Sequence, residues 1–408
     1  MTATALAPAP ASYRTLLTRA HILRLLATAV IGHLPVAMAP LALLLTVRAD
    51  GGTVTRAGLL AAAYGISAAL GQPWWGRMLD RHGHMPALVT TAVASTTAFT
   101  ALAMLDTAHH LVGAAVLTVA AGLTTPPLEA ALRVLWPHVT DSPAQLRAAL
   151  SLDASAQEVV FVLGPLLVLG VDTLGGAHAA LGAAIPLGLA GTLGFATSAP
   201  ARGWRPVPSS RADCIGPLRA PGPRTLAVAL AGAGTALGAL NVTALNLAEH
   251  LSAPALSTLI PAALAVGSLL GGLLYGRLRW PGSPPAHLRA AAGGLLAGLL
   301  PLLLGPGPVL AVAAAMLPGV FLAPLLVAVF TSLDDLAPRG TLAEASAWMI
   351  ACLGLGQAAG TALAGAAAQH GPAWPTLTAV AGAALAYLTL RTRRSALTRP
   401  TASWPSTT

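Results

Sequence analysis

The stretch GQPWWGRMLDRHGHMPALV, residues 71–89, sets Arg77, Asp80 and Arg81 between glycines in a chain that is otherwise strongly apolar. Apolar runs of about twenty residues flank it, the length a helix needs to cross a bilayer. A charged, turn-capable knot in that position marks an aqueous boundary between two spans. Similar apolar runs recur along the 408-residue sequence, and we place twelve: 25–46, 56–75, 86–105, 111–134, 149–170, 177–198, 225–247, 255–275, 287–305, 308–332, 341–366 and 374–391.

The composition points the same way. Hydrophobic residues make up 55% of the chain and charged residues 9%, with a mean hydropathy of +0.73, whereas soluble domains carry roughly 25% charged residues. A net charge of +9 would suit a nucleic-acid partner, but its placement argues against one. Every basic side chain is Arg. With spans numbered from a cytoplasmic N-terminus, only Arg48 and Arg56 fall outside. Arg77, Arg81, Arg147, Arg202, Arg205, Arg211, Arg219, Arg224, Arg277, Arg279, Arg339, Arg391, Arg393 and Arg394 fall in cytoplasmic segments. This asymmetry predicts a multi-pass cell-membrane protein with both termini in the cytoplasm. Trp74, Trp75, Trp136 and Trp280 are expected at the cytoplasmic interface. Cys214 lies in a loop and Cys352 in a span, so no structural disulfide is expected.

Residues 1–24 read as a cytoplasmic lead carrying Arg14, Arg19 and Arg24, and the apolar run after it is too long for the core of a signal peptide. Residues 199–224 hold five arginines and six prolines, which predicts an extended cytoplasmic linker. It separates an N-terminal half, 25–198, from a C-terminal half, 225–391, with a tail at 392–408. The halves echo each other. ALGQPWWGR at 69–77 aligns with LLGGLLYGR at 269–277, GLTTPPL at 122–128 with GVFLAPL at 319–325, and SLDASAQEVVFVLG at 151–164 with TLAEASAWMIACLG at 341–354. Three matches in consistent order indicate an internal repeat.

The run Gly76-Arg77-Met78-Leu79-Asp80-Arg81-His82-Gly83 resembles the signature G-x-x-x-D-R-x-G that follows the second span of Major Facilitator Superfamily transporters. His84 and Met85 stand where that family usually has Arg or Lys. The resemblance implies an all-α membrane protein of twelve transmembrane helices in two pseudo-symmetric six-helix bundles, with the substrate between them. It also implies a gating loop, Gly76, Asp80, Arg81 and Gly83, whose aspartate latches the cytoplasmic side onto the start of the eleventh span, Thr341 to Glu344. Without the latch, the same residues make a plain turn bearing positive-inside arginines. Gly164-Pro165 resembles in part the fifth-span motif of drug/proton antiporters, with Leu167 and Val168 replacing its downstream glycines.

Ionisable groups inside the membrane cost several kcal/mol and mark functional paths. Glu158, beside Gln157, reads either as a proton carrier or as a permanently neutral acid bonded to a neighbouring helix. His33 can relay a proton to Glu158, or bond a carbonyl freed by Pro35. Glu129 and Arg133, four apart on one helix face, form a structural ion pair or a coupling pair facing the cavity. Asn241, Thr243 and Asn246 orient substrate or glue helices. Thr341-x-x-Glu344 matches a capping box, which would explain Glu344 locally. Asp106, His109 and His110 lack a chelating geometry, and no Walker A loop, G-x-S-x-G elbow or H-E-x-x-H motif is present.

The sequence therefore predicts a secondary active transporter, not an enzyme. It is expected to export a small organic molecule in exchange for protons by alternating access, with no cofactor, no metal and no obligate protein partner. A proton symporter importing a sugar or metabolite uses the same parts. A non-transporting membrane sensor or scaffold is the reading from another class.

Overall fold

The computed structural model describes residues 13–206, 216–277, 282–305 and 307–397. Among these, eleven helical segments are long and apolar enough to cross a membrane. After a short helix α1 (Tyr13–Leu17), the N-terminal half contains α2 (Ala20–Ala49), α3 (Val54–His82), α4 (His84–Met104), α5 (Leu111–Leu123), α6 (Leu128–Val139), α7 (Pro143–Gly175) and α8 (Ala177–Ala196). A short helix α9 (Ala199–Gly203) leads toward the C-terminal half: α10 (Pro221–His250), α11 (Leu256–Arg277), α12 (Pro284–Leu299, continued by a 3-10 segment to Leu304), α13 (Pro308–Leu336), α14 (Leu342–Ala367) and α15 (Trp374–Thr392). The last is 19 residues long, ends in arginines and packs beside α10 and α12 as the twelfth span.

Local chemistry sets the boundaries. Thr53, Ser142 and Ser198 cap α3, α7 and α9 by accepting the backbone N–H three residues on. Gly83 ends α3 at φ +88, a left-handed conformation that any side chain would strain, and so turns the chain directly into α4. The fourth span breaks between α5 and α6 because Pro126 and Pro127 remove two successive backbone donors. The aligned segment in α13 has Ala323-Pro324 instead, and the helix runs through.

The aligned glycines meet equivalent neighbours. A Cβ on Gly71 would run into the Leu123 carbonyl of α5, and one on Gly271 into the Val320 carbonyl of α13. Gly122 abuts the Tyr64 carbonyl of α3 and Gly319 the Leu264 carbonyl of α11. The C-terminal half also brings α10 and α14 together backbone to backbone: Gly234 meets the Leu353 carbonyl, Gly356 the Ala231 carbonyl and Gly360 the Thr235 carbonyl. Small residues let the helices approach this closely, and dispersion contacts then hold them. Thr361 adds a hydroxyl bond across the crossing, to the Gly238 carbonyl at 3.2 Å.

The two halves meet along two seams, α3 against α14 and α7 against α11, with α6 and α13 packed beside them. Both seams are tightest at the end of the bundle that carries the chain termini, called here the terminal end. The linker lies against that end. Trp204 sets its ring edge-on to His84, 4.9 Å between centroids, and Gly216 of a 3-10 turn lies over the Glu344 carboxylate, where an added Cβ would sit 3.5 Å from its oxygens. The described part of the linker is therefore docked, in contrast to the extended form predicted from its prolines. Residues 1–12, 207–215 (with Arg211 and Cys214), 278–281 (with Arg279 and Trp280) and the tail from 398 lie outside the described residues. Trp136 is fully buried rather than interfacial, because α6 tucks between the halves; Trp74 is exposed.

Candidate functional site

Two groups of polar side chains stand out against the apolar packing, one at the terminal end and one deeper in the N-terminal half.

The first is a latch across the α3–α14 seam. A helix start leaves backbone N–H groups without partners. Thr341 does not satisfy those of α14, since its hydroxyl turns back to the Pro338 carbonyl at 2.8 Å. Asp80, buried at the end of α3, does so from the other half: it accepts the N–H of Ala343 at 3.1 Å and of Glu344 at 2.8 Å. An aspartate here also meets the positive end of the helix dipole. Arg77, one turn before Asp80, pairs with the Glu344 side chain and offsets the acid that adjoins Asp80. Glu344 is thus held across the seam rather than in a local capping box, because Thr341 has backbone angles (φ −132, ψ 20) that aim its hydroxyl away from the helix. Gly76 lets the helices touch: a Cβ there would lie 2.8 Å from the Ala343 carbonyl. Arg81 is exposed and takes no part, so the arginine at the seam is Arg77. His84 replaces a basic anchor with packing, its Nε2 3.2 Å from the Ala131 carbonyl and its ring between Phe195 and Trp204.

The second group is a chain of charges linking α2, α6 and α7. The helix break places Glu129 in the first turn of α6. His33 Nε2 lies 3.1 Å from its Oε1, and Arg133 Nη1 lies 3.1 Å from its Oε2. Arg133 Nε continues to Asp153 Oδ2 at 3.3 Å. Gln157, one turn along α7, faces Asp153. His33, Arg133 and Asp153 are at most 8% exposed. From the C-terminal half, the Phe330 ring faces the Arg133 guanidinium, whose carbon lies 3.6 Å from the ring centroid.

This arrangement gives His33 neither of its two expected partners, Glu158 or a carbonyl freed by Pro35. His33 meets Glu129, and its ring sits edge-on to Phe161. Glu158 stands elsewhere because α7 begins at Pro143, which puts Glu158 near the middle of a 33-residue helix, on the face toward Ser268 of α11. Asp153 and Phe330 went unnoticed in the sequence. The signal for Asp153 was present, an acid in an apolar span with Gln157 four residues on. Nothing local distinguishes Phe330 from other apolar residues of α13.

The polar residues of α10 are less convergent. Asn241 is exposed, and Thr243 bonds the Ala239 carbonyl of its own helix at 3.0 Å. Asn246 is buried with its side-chain oxygen unpartnered. At the opposite end, Asp106 pairs with His109 at 2.8 Å, and no group of three metal-ligating side chains occurs among the described residues.

Solved structures with the same fold share little sequence with this chain. A bacterial homologue of the iron transporter ferroportin, in an outward-facing state, superposes with TM-score 0.74 at 16% identity. The human organic anion transporter MFSD10 (TETRAN) gives 0.67 at 17%, and the transporter FucP in its outward conformation gives 0.61 at 16%. Each comparison covers 92% of this chain and 99% of the other. No curated protein sequence matches. Residues 25–279, well over half of the chain, match the Major Facilitator Superfamily family model. The chain belongs to the Major Facilitator Superfamily, and its architecture is that of a transporter rather than an enzyme.

Proposed function

We propose that this protein is a secondary active transporter of the cell membrane, with both termini cytoplasmic, that exports a small organic molecule in exchange for protons. The observation that carries this reading is the His33–Glu129–Arg133–Asp153 chain. Two carboxylates face one guanidinium, so a single added proton brings the set to neutrality. A net charge is costly in a membrane interior. The loaded and unloaded cluster therefore favours different surroundings, one drier and one wetter, and a two-state fold can convert that difference into a change of access.

In this orientation the latch closes the cytoplasmic side, so substrate loaded from the cytoplasm while the latch is open leaves toward the opposite end, between the halves. Gln157 and Glu158 on α7 and Asn246 on α10 would supply polar contacts, while apolar walls would suit an amphipathic or weakly polar cargo. Glu158, on the α7–α11 seam beside Ser268, gives a second protonatable group that the rocking motion would cover and uncover.

The test is transport in reconstituted vesicles under an imposed pH gradient, screened first with lipophilic organic cations and anions. Exchange predicts substrate moving against the proton flow, with movement lost in Asp153→Asn and Glu129→Gln while substrate binding persists. Substrate moving with the protons would replace export by import. Normal pH-driven transport in both variants would remove the cluster from the mechanism.

A further inference from the structure

Arg133 is held by acids on its own half and covered by an aromatic ring from the other. Its side chain is 8% exposed, as is Phe330. On the terminal side of this contact lies a narrow recess, lined by Arg133, Pro137, Leu146, Phe330, Asp334 and Ser346 among others. Pro137 and Leu146 flank the α6–α7 turn and Asp334 stands near the end of α13, so the recess lies between the charge chain and the terminal end. The Phe330 ring thus lies over the Arg133 guanidinium and, with Ser346 of α14, forms part of the wall that the C-terminal half gives this recess.

We propose that Phe330 is the gate of the charge cluster. Carried on α13, its ring seals Arg133, Glu129 and Asp153 while the halves are closed at the terminal end, and uncovers them when the halves rock apart there. An aromatic face suits the task, because it attracts a desolvated guanidinium without offering a proton or an acceptor. It covers the charge yet leaves the acid pairing of Arg133 intact. The groups facing the contact are Glu129 and Arg133 on α6, Asp153 on α7, His33 on α2 through Glu129, and Asp334 one turn further along α13. Glu158 of α7 faces α11, and Glu344 of α14 is held by Arg77 at the latch. Which ion crosses is taken from the exchange reading above; the cover itself is independent of it.

The experiment uses the whole protein in membrane vesicles of each orientation, treated with an impermeant, water-soluble carbodiimide. Modification of Glu129 and Asp153 is read by peptide mass spectrometry. Phe330→Ala should raise modification several-fold from the terminal face alone. Phe330→Leu should raise it less, and Phe330→Tyr, which keeps the ring, should match the unsubstituted protein. No rise with Phe330→Ala, or an equal rise from both faces, would overturn the gate. A pH-sensitive dye separates the two ideas. One-sided labelling together with no substrate-linked proton movement in the unsubstituted protein keeps the gate and removes proton exchange. One-sided labelling with a substrate-independent proton leak in Phe330→Ala, abolished by adding Asp153→Asn, supports both.

Discussion

The two seams that hold the halves together start from related sequence and end in different chemistry. At the α3–α14 seam, Gly76 brings the backbones together and Asp80 caps the opposing helix with a buried charge. At the α7–α11 seam, Gly276 occupies the repeat-related position, and the aligned counterpart of Asp80 lies outside the described residues. There the contact is made by small side chains: Gly272 and Gly276 pack on Ser151 and Ser155. The polar tie comes from Tyr13 on the short helix α1, whose hydroxyl donates to the Leu273 carbonyl at 2.8 Å. Burial pushes the Tyr13 phenol above its ordinary range, which keeps it a donor, while Arg277 sits 5.6 Å over its ring. At the terminal end, one seam depends on charge and the other on fit, with a hydroxyl supplied from outside the repeat; Glu158 lies deeper along the second.

That difference predicts where a single substitution will release the closed state. Asp80→Asn should have the largest effect. It leaves one side-chain acceptor but removes the charge that two buried N–H groups and the α14 dipole meet, and hydrogen bonds to charged groups are worth about 1.5–3 kcal/mol. A loss near 2 kcal/mol shifts a two-state equilibrium by roughly 30-fold. Distances between spin labels at the ends of α3 and α14 should move to a second population. Unchanged distances would mean that the seam is held by packing alone.

Gly76→Ala comes next and separates the seams by what the new methyl meets. At Gly76 it meets the Ala343 backbone carbonyl, which cannot move without displacing α14; overpacking of this kind costs about 1–3 kcal/mol. At Gly276 it meets the Tyr13 hydroxyl and the Ser151 side chain, and a ring on a short terminal helix can swing aside. Gly76→Ala should therefore open the spin-label distance more than Gly276→Ala does. Equal effects would erase the distinction between the two seams.

Tyr13→Phe follows, with a cost of about 1 kcal/mol for one neutral hydrogen bond. It should raise protection-factor loss at the end of α11 in hydrogen exchange and leave the α3–α14 seam untouched. If both seams loosen together, α1 is acting on the closed state as a whole.

The twelve-span architecture was legible because membrane spans need length and little else, and positions of the glycines disclosed the repeat. The contact of Asp80 with α14 was legible for a different reason: the family resemblance of its loop implied a partner at the start of the eleventh span, where a helix start offers N–H groups to an acid. The charge cluster was only partly legible. Glu129 and Arg133 share a helix face, so their pairing follows from spacing. Which helix supplies the next partner depends on depth, and depth shifted when the Pro126–Pro127 break set the start of α6 and when α7 began at Pro143, ahead of the apolar run at 149–170. His33 thus met Glu129, and Asp153 rather than Glu158 closed the chain. The Phe330 contact crosses between halves, where a sequence of abundant apolar residues gives no pairing signal.

The smallest expected effect tests whether α1 is tethered or merely resting on the seam. Arg19 pairs with Asp141 of the α6–α7 turn, and Gln145 bonds the Asp141 backbone N–H at 2.9 Å. The Arg19 guanidinium holds the Asp141 carboxyl below its ordinary value of 3.8. A depressed acid contributes to stability above its unfolded value and loses that contribution as pH falls through the folded one. The tether should therefore be constant through neutral pH and vanish only in acid, below the ordinary aspartate range. The pair is exposed, so salt should weaken it as well, within a screening length of about 8 Å at physiological ionic strength. Hydrogen exchange of Tyr13–Leu17 is the readout: Asp141→Asn should speed it at neutral pH to the rate the unsubstituted protein reaches at high salt. If neither acid, salt nor the substitution changes the exchange, α1 is held by the burial of Tyr13 and Leu16 and by the Tyr13 hydroxyl bond, with nothing added by the Arg19–Asp141 pair.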